Sequence, residues 1–281
     1  MNTVVIIPNI NKDVGLNVTS LVTEKMLSLG FVVYLERKYA STCVGSTGYT
    51  EFPTDADIVI AVGGDGTVLD ASKYAIRLDI PILCVNLGKV GYLSEIEPDR
   101  LDLLEKLKTG DYSVNQKMML EISVADNLGC ANKFAVNDVV ISHDSYLGIA
   151  DIKLEDSVGN MIKYRADGLI LSTPQGSTAY SLSAGGPIVA HDVESIIATP
   201  VCAHSFFDRS VVFNASESIR VTNVSSDTLN ISVDGRYIAP LKSSEHCVIK
   251  RSDTRLKMIG FTRNRMFSNL FRKMKMLEDS E

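Results

Sequence analysis

The chain has 281 residues, enough for about two domains of ordinary size. Its hydrophobic content of 45% supports a sizeable buried core, and its net charge of −6 excludes a general binder of nucleic acid or of an anionic membrane surface, which needs a basic excess. With no basic leader and no apolar run of about 18 residues, the expectation is a cytoplasmic protein that does not span a membrane.

In chain order, TVVII at 3–7 reads as a short β-branched buried strand ended by Pro8 and Asn9. Leu16, Val18, Leu21, Val22, Met26 and Leu29 recur at helical spacing, and Gly30 closes that helix. FVVYLE at 31–36 is a second strand, so the chain opens strand–helix–strand and predicts a parallel sheet. Residues 39–54 read as loop. ADIVIAV at 56–62 is a fully apolar strand, followed by GGDGT at 63–67, a helix over 68–77 and a fourth strand, IPILCVN, at 80–86. LGKVGYLSEIEPD is a glycine-punctuated loop, and DRLDLLEKLK at 99–108 reads as an amphipathic helix with Asp99 as its N-cap and Gly110 as its stop.

From residue 112 the texture changes. Short alternating segments between turn residues fill 117–260, from MLEISV through LNISVDG and HCVIKRS to RLKMIG, and predict an antiparallel β domain. The tail 264–277 is amphipathic and helical. Five cysteines, Cys43, Cys84, Cys130, Cys202 and Cys247, are widely spaced and form no CxxC, which reads as free thiols in a reducing compartment. His143, His191, His204 and His246 fit no metal-ligand spacing and read as surface or core residues.

Three segments carry chemistry. Gly63-Gly64-Asp65-Gly66-Thr67 sits between a strand and a helix, where glycines admit a phosphate close to the backbone and a helix N-terminus favours an anion. It has neither the lysine of a Walker A loop nor the G-x-G-x-x-G of a dinucleotide fingerprint. A tight turn with Asp65 or Thr67 as a cap is the bland alternative. An acid between glycines suits a group that contacts an attacking hydroxyl. The second segment, DGLILSTPQGSTAYSLSAGGPIV at 167–189, gathers hydroxyls and backbone amides with little bulk, and Tyr180 offers a ring for stacking. It is either a polar ligand site or a Ser/Thr-rich connector. Third, Asn137-Asp138 interrupts an apolar strand, as a bulge or strand end, or as a fork for paired ligand hydroxyls.

Together these motifs resemble the NAD kinase family: GGDGT, NLGKVGYLSE at 86–95, Asn137-Asp138, RADGLILSTPQGSTAYSLSAGGPIV at 165–189, PVCAHSFFDRSVVF at 200–213 and ISVDGR at 231–236 stand in the family's order. The resemblance implies a Rossmann-like α/β N-terminal domain over roughly 1–112 and an all-β C-terminal domain over roughly 113–260. The tail 261–281 would return to the first domain and the active site would lie in the cleft. It implies transfer of the terminal phosphoryl group of ATP, with Mg2+, to the 2′-hydroxyl of the adenosine ribose of NAD, in a homodimer or homotetramer whose neighbouring subunit contacts the ligand.

Position by position, the resemblance makes Asp65 the catalytic aspartate that accepts the hydroxyl proton. Gly63, Gly64, Gly66 and Thr67 become the phosphate loop, and Arg165 a basic position near the phosphates. Tyr92 and Leu93 border the adenine pocket. Asp65, Gly66, Asn137, Asp138, Asp167, Thr178, Ala179, Tyr180, Ser181, Leu182 and Ser183 contact NAD. Three positions depart from the pattern: Asp138 replaces the usual glutamate, Gln175 a small residue, and Gly235-Arg236 a small residue followed by glutamine. Arg236 either meets an anionic ligand or faces solvent. Two other readings stay open: a kinase of a lipid or sugar on the same scaffold, and a non-catalytic NAD(P)-sensing module.

Overall fold

The computed structural model describes residues 2–88, 91, 93–124, 133–143, 148–204 and 206–261. It divides into two compact units, one formed by the chain up to Gln116 with the stretch from Leu256, the other by Lys117–Arg255.

The first unit opens with β1 (Thr3–Pro8), α1 (Asn17–Ser28), β2 (Val32–Glu36), α2 (Arg37–Ala40), β3 (Thr47–Tyr49) and β4 (Ile58–Gly63). It continues with α3 (Asp65–Leu78), β5 (Ile82–Asn86), a 3₁₀ stretch Pro98–Leu104, α4 (Glu105–Thr109) and β6 (Ser113–Lys117). β1 to β5 run parallel in the order β3-β2-β1-β4-β5. β4 is buried along its whole length and Val4, Val5 and Ile6 of β1 are fully buried, as strands covered on both faces require. The helix start at Asn17 is held by the buried Asp13 carboxylate, which accepts the Val18 and Thr19 N–H groups at 3.0 and 2.8 Å and the Thr19 hydroxyl at 2.6 Å. α1 buries Val22 and Met26, while Leu21 faces solvent.

The second unit runs β7 (Leu120–Val124), β8 (Lys133–Ala135), β9 (Asp138–His143), β10 (Ala150–Glu155), β11 (Met161–Ala166) and β12 (Gly168–Ser172). A 3₁₀ turn Gln175–Thr178 and α5 (Tyr180–Ser183) follow, then β13 (Ser195–Val201), β14 (Val211–Asn214), β15 (Ser218–Asn223), β16 (Leu229–Val233), β17 (Arg236–Leu241) and β18 (His246–Arg251). These strands form two six-stranded antiparallel sheets, β11-β10-β15-β18-β7-β8 and β14-β13-β12-β9-β16-β17. Alternate residues of both sheets, such as Ile152 and Leu154 from one and Leu169 and Leu171 from the other, share one core.

Several segments differ from the sequence reading. The expected loop 39–54 contains the end of α2 and the short strand β3. The expected helix 99–108 is mostly 3₁₀ with only Glu105–Thr109 as α-helix, and Glu97 rather than Asp99 precedes it. RLKMIG does not join the antiparallel sheets: β19 (Leu256–Gly260) lies parallel to β5, between it and β6. The expected helical tail and Cys130 lie outside the described residues. Cys43, Cys84 and Cys247 are free and buried, whereas Cys202 is exposed. No helix among the described residues is long and apolar enough to cross a membrane.

Candidate functional site

In the first unit the strand order reverses direction between β1 and β4, and in open α/β sheets ligands bind outside the carboxyl ends of the strands at such a point. Two loops leave the sheet there. The one after β4 is the glycine segment: Gly63 ends the strand, Gly64 precedes the helix, and Asp65 is the first residue of α3. The helix therefore begins three residues earlier than the expected 68, and Asp65, Gly66 and Thr67 form its first turn. This is where partial positive charge accumulates and where an anion is favoured.

The turn is locked from two sides. Asn9, leaving β1, donates its Nδ2 to the Thr67 hydroxyl at 3.1 Å, and its N–H reaches the Val62 carbonyl at 2.8 Å. A Cβ at Gly63 would overlap Thr67. From the other side, the loop after β5 closes on Asp65. Leu93 donates its N–H to Asp65 Oδ1 at 3.1 Å, and Gly91 approaches so closely that a Cβ there would lie 3.1 Å from the same oxygen. That loop is tied down by buried Asn86, whose Oδ1 accepts the Gly88 N–H at 3.0 Å while its Nδ2 reaches the Gly88 carbonyl and Glu97. Gly63, Gly64, Asp65, Gly66, Thr67 and Leu93 are thus brought together. Tyr92 lies outside the described residues.

In the second unit, Val136-Asn137 is the point where the chain leaves one sheet and enters the other, because β8 and β9 belong to different sheets. The expected continuous strand is two strands. Asp138 is buried and Asn137 partly so. Three neighbours hold this turn. The Asp234 carboxylate accepts the N–H groups of Val136, Asn137 and Asp138 at 2.9, 2.8 and 3.1 Å. Thr173 donates its N–H to the Asn137 carbonyl at 2.9 Å and its hydroxyl to the Val136 carbonyl at 2.7 Å. Gly176 lies so close that a Cβ would overlap the Asn137 backbone. Burial first, and then the neighbouring Asp234, push the Asp138 carboxyl up to about 7. Burial also raises Asp234, against the pull of its three backbone N–H groups.

From this turn, residues 173–183 fold back along the sheet. Thr178 is buried and donates its hydroxyl to the Gln175 carbonyl at 3.1 Å, and Ser181 Oγ lies 2.9 Å from Thr199 Oγ1 of β13. Ala179 and Leu182 are partly buried and Ser183 is exposed. Tyr180 is 46% exposed. The amide oxygen of Gln175 is buried without a hydrogen-bond partner among the described residues.

Arg165 and Asp167 are not brought to this turn. They flank the other end of β12, about 20 Å from Thr173 at the rise of a strand. There Asp167 Oδ1 lies 3.7 Å from His204 Nε2, and His204 donates its N–H to the Arg165 carbonyl at 2.7 Å. Arg236 is exposed at the start of β17, two residues beyond Asp234. Among the described residues no group of three or more His, Cys, Asp or Glu side chains could hold a metal ion.

Sequence reasoning missed Asn9, Asp234 and His204. Asn9 follows a strand whose place beside β4 is set by topology. Asp234 carried a signal in the quoted ISVDGR, and His204 in PVCAHSFFDR.

A family model described as ATP-NAD kinase N-terminal domain matches residues 4–112, and one described as ATP-NAD kinase C-terminal domain matches residues 136–261. Among curated relatives, the NAD kinase of Caldanaerobacter subterraneus subsp. tengcongensis is 38% identical over 277 residues, covering 96% of this chain and 98% of its own. The NAD kinase of Geobacter sulfurreducens is 36% identical over 252 residues, covering 88% of each chain. Among solved structures, yeast NADH kinase complexed with NADH superposes with a TM-score of 0.84 at 21% identity, over 96% of this chain and 86% of that one. An NAD kinase from Archaeoglobus fulgidus in complex with ATP gives 0.73 at 22%, over 98% and 99%. At that identity the two structures carry the fold.

Proposed function

The chain belongs to the ATP-NAD kinase family, and on that premise we propose how its residues divide the work of an ATP-dependent NAD kinase. Its acceptor is the 2′-hydroxyl of the adenosine ribose of NAD and its donor is Mg·ATP, so the metal enters with the nucleotide rather than on a protein cluster. The start of α3 receives phosphate oxygens on backbone N–H groups, without a bulky side chain in the way. Phosphoryl transfer asks mainly for alignment and charge neutralisation. Mg2+ brought in with the nucleotide would supply that charge neutralisation.

Asp65 takes the acceptor hydroxyl. A carboxylate is a weak base toward an alcohol, but in a loose transition state the proton leaves late. Asp65 therefore orients the hydroxyl first and receives its proton once the new P–O bond is forming. The observation that carries this role is the Leu93 N–H on Asp65 Oδ1 at 3.1 Å, which fixes the carboxylate at the head of a phosphate-favouring helix.

Asn137 and Asp138 hold ribose hydroxyls, and Thr178, Ala179, Tyr180, Ser181, Leu182 and Ser183 line the rest of the dinucleotide, with Tyr180 stacking on a ring. Arg165, in β11, and Asp167, just before β12, lie too far from that set to join it within one chain's second unit. They serve the ligand of a neighbouring subunit, in a homodimer or homotetramer working in the cytoplasm.

The test is purified protein with Mg·ATP and NAD, with NADP measured by coupled reduction and Asp65→Asn as control. NADP formation that falls by several orders of magnitude in the variant, with NAD affinity near normal, supports the role of Asp65. Retention of most of the turnover removes it.

A further inference from the structure

We propose that Lys12 is a phosphate-contacting residue of the kinase reaction, neutralising the phosphoryl group that passes between ATP and the acceptor. The inference rests on the kinase reading above and adds to the glycine loop a cation from a different strand.

The turn that carries Lys12 leaves the carboxyl end of β1, which is one of the two strands flanking the reversal of sheet order. That turn is fixed at every corner. The Lys12 N–H meets the Asn9 carbonyl and side-chain oxygens at 3.1 and 3.2 Å, and the Asp13 N–H meets the Asn9 carbonyl at 2.8 Å. Asn9 is itself bonded to Thr67 in the first turn of α3.

From this base the Lys12 side chain reaches over the glycine segment. A Cβ at Gly64 would lie 2.8 Å from Lys12 Nζ, and a Cβ at Gly88 would lie 3.4 Å from it. Two loops, after β4 and after β5, thus carry glycine where the ammonium passes. Lys12 makes no ion pair with any described residue, and the helix end it faces carries partial positive charge. The Asp65 carboxylate in the same turn offsets part of the repulsion between the ammonium and the helix end. A phosphate lying on the Asp65–Thr67 turn is drawn to both the helix end and Lys12. It would accept from backbone N–H groups below and from Lys12 above, as a lysine does in other phosphate sites. The charge on the equatorial oxygens of the transferring group is then met from both sides.

The test compares wild type with Lys12→Gln and Lys12→Arg in full-length protein. Lys12→Gln is expected to cut kcat/KM for Mg·ATP by about 10²-fold, with the KM for NAD and the thermal midpoint near those of wild type. Lys12→Arg, keeping the charge, restores part of the loss. Inorganic triphosphate titrated calorimetrically binds wild type and weakens in Lys12→Gln. Triphosphate affinity that is the same in both, or a loss that falls only on the KM for NAD, overturns the assignment. If the wild type forms no NADP, the kinase reading fails on its own, while the triphosphate titration still decides whether Lys12 meets phosphate.

Discussion

Asp234 takes the N–H of Asn137 on its Oδ1 at 2.8 Å, and the same carboxylate takes the N–H groups of Val136 and Asp138 on either side. A side chain 97 residues further along the chain, between β16 and β17, therefore sets the backbone where the chain crosses from one sheet to the other. Hydrogen bonds to a charged acceptor are worth more than neutral ones, and donors left unpaired carry their desolvation cost. Asp234→Ala is expected to lower the free energy of unfolding by about 2–4 kcal/mol and to raise the KM for NAD through displacement of Asn137. Urea unfolding and steady-state kinetics check both. A stability change under about 1 kcal/mol would show that the turn holds itself.

Asp138 gives the turn a pH dependence. Its folded-state pKa stands at about 7, above the ordinary 3.8, because of burial and then Asp234. At acid pH below the ordinary value the group is protonated in both folded and unfolded chains and costs nothing. As pH rises toward 7 the unfolded chain releases the proton first, so stability falls through that window, by of order 2–4 kcal/mol. Asp138→Asn removes this slope. The wild-type-minus-variant difference in unfolding free energy should decline between pH 4.5 and 7.5, leaving the variant the more stable at pH 8. A difference that is flat with pH would place Asp138 in a more polar setting than the fold shows.

How much of this was legible depended on range along the chain. β4 and the glycine segment stand out because a run of fully buried apolar residues ends abruptly in Gly63-Gly64, a signal contained within a few residues. The start of α3 was misplaced because glycine and aspartate have low helix propensity, yet both sit in its first turn. Asn9 and Lys12 were invisible for a different reason: strand order, not sequence, places the loop after β1 beside that after β4. β19 escaped similarly, since LKMIG alternates well enough for an antiparallel strand and only its place beside β5 assigns it to the first sheet. Asn137-Asp138 was visible as a disturbance in an apolar run, but its cause lay 96 residues away from Asp138, in Asp234.

Tyr180 is a large aromatic left 46% exposed just beyond the buried 3₁₀ turn Gln175–Thr178. Its ring is not needed to fill the core, so Tyr180→Ala should leave the thermal midpoint within about 2 °C. Stacking on a base is worth roughly 1–3 kcal/mol, so the KM for NAD should rise by about tenfold or more while kcat changes little. Tyr180→Phe should keep most of the affinity. An unchanged KM in Tyr180→Ala would take the ring out of the ligand site.

Gly66 and Gly176 separate the two uses of glycine in this fold. A Cβ at Gly176 would overlap the Asn137 carbonyl oxygen, carbon and Cα, all backbone atoms that cannot step aside. Gly176→Ala is therefore expected to destabilise by about 3 kcal/mol or more, with soluble yield falling accordingly. At Gly66 a Cβ would meet nothing within 4 Å, and the residue lies inside the first turn of α3. There alanine should favour the helix by up to about 1 kcal/mol, so glycine is a cost to the fold that no contact among the described residues explains. A phosphate lying against the turn explains it, because a methyl group would take the phosphate's place. Gly66→Ala should then keep or raise the thermal midpoint while kcat/KM for Mg·ATP falls by tenfold or more. Unaltered ATP kinetics in a stabilised variant would show that phosphate does not approach the helix at Gly66, and would move the contact to the Gly63-Gly64 end of the loop.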